Sequence, residues 1–242
     1  MRSGSSLLVH ILNSNDEIIG FGEAHHEYQS SSDLDWLVVD QMRFWRRFKL
    51  PERYVMDKIV HDKYGVSDSL LKSNDIKKLF LIREPQRGLS SILMAAKAQG
   101  LTDWTEQMAA DYYRTRLASL ERYAEIIGNK EGAFFLTHDQ LINDSTRTLA
   151  AVGSWLNLKE PLGERYKVHK ATGRWGVGDG SDNIKIGRII KPESEVIEIS
   201  PGLLAEASLA YEQCYKTLSG LCSTVDEITV AAVTDSTKEV AR

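Results

Sequence analysis

A chain of 242 residues with 42% apolar residues can bury one large α/β core or two small ones. Its formal charge of −4 argues against a general nucleic-acid binder and leaves room for a local basic pocket on an acidic body. Its two cysteines, Cys214 and Cys222, fit neither a disulfide framework nor a zinc pattern, and no apolar run nears the roughly 20 residues of a membrane span, so a soluble cytoplasmic protein is expected.

The chain opens on Arg2-Ser3-Gly4-Ser5-Ser6, followed at once by the apolar run Leu7 to Leu12, and a helix is predicted from about Ser6 to Asn13. A helix start leaves backbone N–H groups unpaired at the positive end of the macrodipole, so small hydroxyl residues there suit a bound phosphate, with Arg2 supplying a planar charged fork. The nucleoside-triphosphate pattern G-x-x-x-x-G-K-[ST] is absent. Asn13-Ser14-Asn15-Asp16 breaks the helix, and Glu17 to Phe21 leads to Gly22-Glu23-Ala24-His25-His26-Glu27-Tyr28. That ionisable cluster reads either as a solvated loop or as a site for acid–base work and substrate hydrogen bonding. Adjacent histidines lack the i, i+4 spacing of a helical zinc pair, and no metal is expected.

A helix starting near Ser32 carries Trp36, Leu37, Val39, Met42, Phe44 and Trp45 on its apolar face and a basic end at Arg43, Arg46, Arg47 and Lys49. Past Pro51, Tyr54 to His61 is a predicted strand whose carboxyl end bears His61, the end at which open α/β sheets bind ligands. Lys77 to Ile82 reads as a buried parallel strand ending in Arg83-Glu84-Pro85, and Gly88 to Ala96 as the next helix, one turn into which lies Ser91. A helix of about 25 residues from Asp103 ends at Gly128-Asn129, Ala133 to Thr137 is another buried strand, and a helix is expected around Leu141 to Leu156. Gly173 to Asn183 is too glycine-rich for regular structure and reads as a long functional loop holding Arg174 and Trp175. A last helix runs from about Gly202 to Ser219, giving one domain over 1–225 and a polar tail over 226–242.

Arg2 to Ser6 resembles the 5′-phosphosulfate loop of sulfotransferases, in which an Arg/Lys-Ser-Gly-Thr/Ser-Thr/Ser run grips 3′-phosphoadenylyl sulfate. Arg83 and Ser91, eight residues apart at a strand end and in the following helix, are similar to that family's 3′-phosphate pair. His61 stands 22 residues before Arg83, as does the catalytic histidine of cytosolic members, while Gly22-Glu23-Ala24 resembles the segment that carries a catalytic glutamate in some bacterial ones. His61 and Glu23 are therefore rival bases, with His61 preferred and His25 and His26 behind them. Trp155-Leu156-Asn157-Leu158 keeps the texture of the family's later helix, whereas His138 departs from it.

The resemblance implies a three-layer α/β/α fold with a mainly parallel, P-loop-like sheet. It also implies sulfuryl transfer from 3′-phosphoadenylyl sulfate to a hydroxyl of a small glycan, lipid or secondary metabolite, without a metal. The implied contacts are Arg2, Ser3, Gly4, Ser5 and Ser6 on the 5′ side, Arg83 and Ser91 on the 3′ phosphate, and Arg174 from the late loop; Arg2 also serves the leaving group. Since only Met1 precedes Arg2, the strand that normally leads into the loop is expected to be missing. That leaves a non-catalytic or truncated nucleotide-binding relative as an alternative, and a kinase-like P-loop enzyme as a weaker one.

Overall fold

The computed structural model describes residues 2–20, 22–101, 103–169, 172, 182–191 and 196–229. In chain order these form α1 (Ser5–Leu12), β1 (Ile18–Ile19), α2 (Ser31–Trp45), β2 (Tyr54–Val55), α3 (Asp68–Lys72), β3 (Lys78–Ile82), α4 (Pro85–Ala98), α5 (Glu106–Ile127), β4 (Ala133–Thr137), α6 (His138–Asn143), α7 (Ser145–Trp155), α8 (Asp182–Lys185), α9 (Pro201–Leu221) and β5 (Ser223–Thr224). Local chemistry sets many of these ends. Pro85 sits in the first turn of α4 and Glu84 caps it, accepting from Arg87 N at 3.0 Å; Thr105 caps α5, which stops at Gly128 in a left-handed conformation (φ 57°).

The strands pair in parallel, as expected, in two ladders among the described residues: β1 with β2, and β3-β4-β5 in that order. Alternation along β3 and β4 divides the core. Phe80, Ile82, Ala133 and Phe135 face α4, α5 and α9, where Leu89, Tyr113, Leu117, Cys214 and Leu218 complete one cluster. Leu81, Phe134 and Leu136 face the other way, onto Leu8, Ile11 and Leu12 of α1 and Leu149 and Val152 of α7. Period-two alternation with helices on both faces is what makes the three layers.

Two expected elements differ. Of the predicted strand over Tyr54 to His61, only Tyr54 and Val55 pair; the last backbone bond to β1 runs from Met56 N to Ile19 O at 2.7 Å. The helix predicted around Leu141 to Leu156 is two helices, broken at Asp144 (φ −129°, ψ 43°), and Ser145 then begins α7. Within the segment expected as a tail, Ile228 packs on the α1–α7 cluster beside buried Val225, and Asp226 and Glu227 pair with Arg147 and Lys130 at 2.6 Å each. Residues 230–242 lie outside the described residues.

Candidate active site

The Arg2–Ser6 loop enters α1 through Gly4, which adopts φ 89°. A Cβ at Gly4 would lie 2.8 Å from His138 Cδ2, so sterics as well as φ restrict this position to glycine. His138 begins α6 directly after β4. Burial, reinforced by the positive charge of Arg83, pushes its pKa down to about 4, and the ring beneath the loop is neutral at pH 7.

The residues expected at the two ends of the nucleotide converge here. Arg2 Nε donates to Ser91 Oγ at 3.4 Å, and Arg83 Nη1 donates to the Arg2 carbonyl at 3.4 Å. Residues 89 and 81 positions apart thus meet at the carboxyl end of β3. Arg83 Nε is buried with no hydrogen-bond partner, and burial, opposed by Glu84, holds the guanidinium below its ordinary pKa. A charged donor kept dry and incompletely bonded is a favourable place for a dianion. Ser90, the neighbour of Ser91, turns away and accepts from Ile197 N at 2.9 Å.

Beside the loop lies a small cleft lined by Glu23, His25, His26, Asp57, Lys58, Ile59, Val60, His61 and Tyr64. Lys58 links it to the loop: Nζ donates to Ser6 Oγ at 3.1 Å and pairs with Glu23 Oε1 at 2.9 Å. The other Glu23 oxygen is 3.2 Å from His25 Nε2 and 4.0 Å from His61 Nε2. Burial raises the Glu23 pKa, but the charge and hydrogen bond of Lys58, with help from His25 and His61, outweigh it and leave the carboxyl below its ordinary value. His61 is 52% exposed at its side chain and is also depressed, by burial first and with Glu23 opposing, so its imidazole is neutral at pH 7. His26 also lines the cleft, but its ring is stacked on Trp36 with 4.1 Å between ring centroids and bonded to Asp33 at 3.1 Å.

Asp57 organises the cleft from below. Its Oδ1 accepts from Ala24 N (2.9 Å) and Lys58 N (2.7 Å), and its Oδ2 accepts from the Tyr28 hydroxyl at 2.7 Å. One carboxylate therefore ties the Glu23 loop to the segment bearing Lys58 and His61. Sequence reasoning named neither Asp57 nor Lys58 as a site residue; the available signal was a pair of charges inside an otherwise apolar strand pattern. It treated Glu23 and His61 as rivals, whereas they share one cleft. Arg174, Trp175 and the rest of 173–181 lie outside the described residues. Among the described residues, no group of three or more His, Cys, Asp or Glu could hold a metal ion, and no helix is long and apolar enough to cross a membrane.

A glycine-entered helix lies beside the carboxyl end of a parallel strand, with Arg2, Arg83 and Lys58 gathered around its entry. No family model matches the sequence, and no curated protein matches it. Among solved structures, a sulfotransferase domain from the curacin biosynthetic pathway matches over 88% of this chain and 94% of that one, with a TM-score of 0.58 and 15% identity. The chain thus has a sulfotransferase-like fold.

Proposed function

We propose that the chain is a sulfotransferase that moves a sulfuryl group from 3′-phosphoadenylyl sulfate to a hydroxyl of a small glycan, lipid or secondary metabolite. The observation that carries this reading is the convergence of Arg2 and the Gly4 loop with Arg83 and Ser91, residues that share no local sequence yet make one cationic surface. The Gly4 loop and the α1 N-terminus take the 5′ end of the donor, and Arg83 with Ser91 takes the 3′ phosphate. The unpartnered Arg83 Nε and the glycine-only position at Gly4 suit close approach of phosphate oxygens. Arg174 is assigned to the donor through the resemblance of its loop alone.

His61 is the base in this scheme. Its neutral imidazole takes the proton of the acceptor hydroxyl; the oxygen bonds to sulfur as sulfur's bond to the departing phosphate oxygen breaks. Arg2, the loop N–H groups and Lys58 beside Ser6 stabilise the charge left on that phosphate, so positioning and electrostatics supply the rate. Glu23, already committed to Lys58 and lowered in pKa, is the weaker base and steadies the cations around it. Two buried, unpaired thiols, Cys214 and Cys222, support a cytoplasmic location.

Calorimetric titration with 3′-phosphoadenosine 5′-phosphate, adenosine 5′-phosphate and magnesium ATP tests the donor assignment. Tightest binding of the bisphosphate supports it; preference for magnesium ATP would replace it with the kinase-like reading.

A further inference from the structure

Helix α5 carries a buried cation that packing alone does not require. Ala109, Ala110, Tyr113 and Leu117 are fully buried along its core-facing stripe, and Arg116 is 3% exposed among them. A guanidinium withdrawn from water is costly unless paired, and an apolar residue of similar length commonly serves as well or better for stability. Arg116 is paired with Asp62, Nη1 donating to Oδ1, while its Nε is buried without a partner. Asp62 follows His61 directly. One turn earlier on α5, the Tyr112 hydroxyl donates to the Val60 carbonyl at 3.1 Å. The helix therefore grips the chain on both sides of His61, where no strand ladder does: the last bond to β1 is at Met56, five residues upstream.

We propose that Arg116 is a positioning residue, which through Asp62 holds the His61 imidazole facing Glu23 at the mouth of the cleft. The purpose of that positioning rests on the sulfotransferase reading; the geometry itself is testable without donor or acceptor. The charged and titratable groups acting on the ring are the N-terminal amino group, Glu23 and His25 from the loop over 22–28, and Arg116 from α5; Lys58 pairs with Glu23, and Asp62 with Arg116. Of these, Glu23 favours the imidazolium, so its neutralisation lowers the His61 pKa only while the two remain close.

The experiment is a cycle of NMR titrations of His61 in the parent, Glu23→Gln, Arg116→Met and the double variant. In the parent background Glu23→Gln is expected to lower the His61 pKa, because it removes the carboxylate that favours the imidazolium. In the Arg116→Met background that shift is expected to fall to a small fraction of its parental size. Affinity for 3′-phosphoadenosine 5′-phosphate should stay at the parental value, because the phosphate residues are untouched, while the melting temperature should fall, because the Asp62 carboxylate loses its partner. With a working acceptor, Arg116→Met should lower kcat by roughly 10²-fold at unchanged KM for the donor, the scale of a small misplacement of a reacting group. An equal Glu23→Gln shift in both backgrounds overturns the proposal. Should Arg116→Met not fold, Arg116→Lys, which keeps the charge but loses the planar fork, takes its place in the same cycle with the same two outcomes. Loss of all bisphosphate binding in the parent would sink the donor reading while leaving this cycle to decide the role of Arg116.

Discussion

Replacing Arg83 with alanine should convert a site for a 3′,5′-bisphosphate into one that hardly distinguishes it from a 5′-monophosphate. The guanidinium sits at the end of β3, with Nε dry and unpartnered and Nη1 making one long contact, 3.4 Å, to the Arg2 carbonyl. Burial already penalises the charged form, so an incoming phosphate dianion meets a donor with little to give up. A charge-assisted hydrogen bond contributes about 1.5–3 kcal/mol net, which at 1.36 kcal/mol per factor of ten is roughly 10- to 150-fold in affinity. The fold should tolerate the change, since Tyr113 is bonded to the Arg83 backbone carbonyl and not to its side chain. Titration calorimetry of parent and variant with 3′-phosphoadenosine 5′-phosphate and adenosine 5′-phosphate reads the effect. The bisphosphate should weaken by that factor and the monophosphate by no more than a few-fold, with Ser91→Ala showing the same preference on a smaller scale. Equal weakening toward both ligands would refute the assignment of Arg83 to the 3′ group.

Gly4→Ala should cost both stability and bisphosphate affinity, because φ 89° is strained for alanine by roughly 1–2 kcal/mol and the added Cβ strikes His138; parental calorimetry and urea midpoints would contradict it. The acid limb of kcat/KM should lie below the ordinary histidine value of 6.5, since His61 is depressed and activity is lost only as it protonates; a limb above 6.5 would point to another base. His138 has a folded pKa of about 4 against 6.5 unfolded, so the unfolded state binds more protons between those values and stability falls as pH drops through that window, by at most about 3 kcal/mol. Urea midpoints at pH 7 and pH 4.5 should therefore diverge less in His138→Gln than in the parent, and parallel losses would remove the histidine from the account.

Much of the scaffold is legible in the sequence because short apolar runs with strong punctuation leave few choices. Lys78–Ile82 and Ala133–Thr137 fall where the patterns place them, and Gly128 stops α5 where a left-handed residue is needed. The segment over 54–61 was harder to read, because its apolar residues suggest a ladder while side chains do the holding: Asp57 to Ala24 N, and Tyr112 to the Val60 carbonyl. The resemblance to sulfotransferases singles out Arg83 and Ser91 and places Arg2 at the other end of the donor, whereas the direct contact between Arg2 and Ser91 shows only in the fold. Arg116 could not be anticipated, since it is one of several charges along its helix and only the packing of distant elements shows that it faces Asp62, and Lys58 shows in the sequence only as half of the Asp57-Lys58 charge pair. Asp144 likewise breaks a helix whose periodicity continues across it.

The central claim is tested most directly by following labelled sulfate from 3′-phosphoadenylyl sulfate into a panel of hydroxyl acceptors, with parent and His61→Ala side by side. The account predicts transfer by the parent with release of 3′-phosphoadenosine 5′-phosphate, and a loss of roughly 10²–10⁴-fold in single-turnover rate for His61→Ala at unchanged bisphosphate affinity. Label that never leaves the donor although the bisphosphate binds, or His61→Ala turning over within a few-fold of the parent while Glu23→Gln does not, would contradict it.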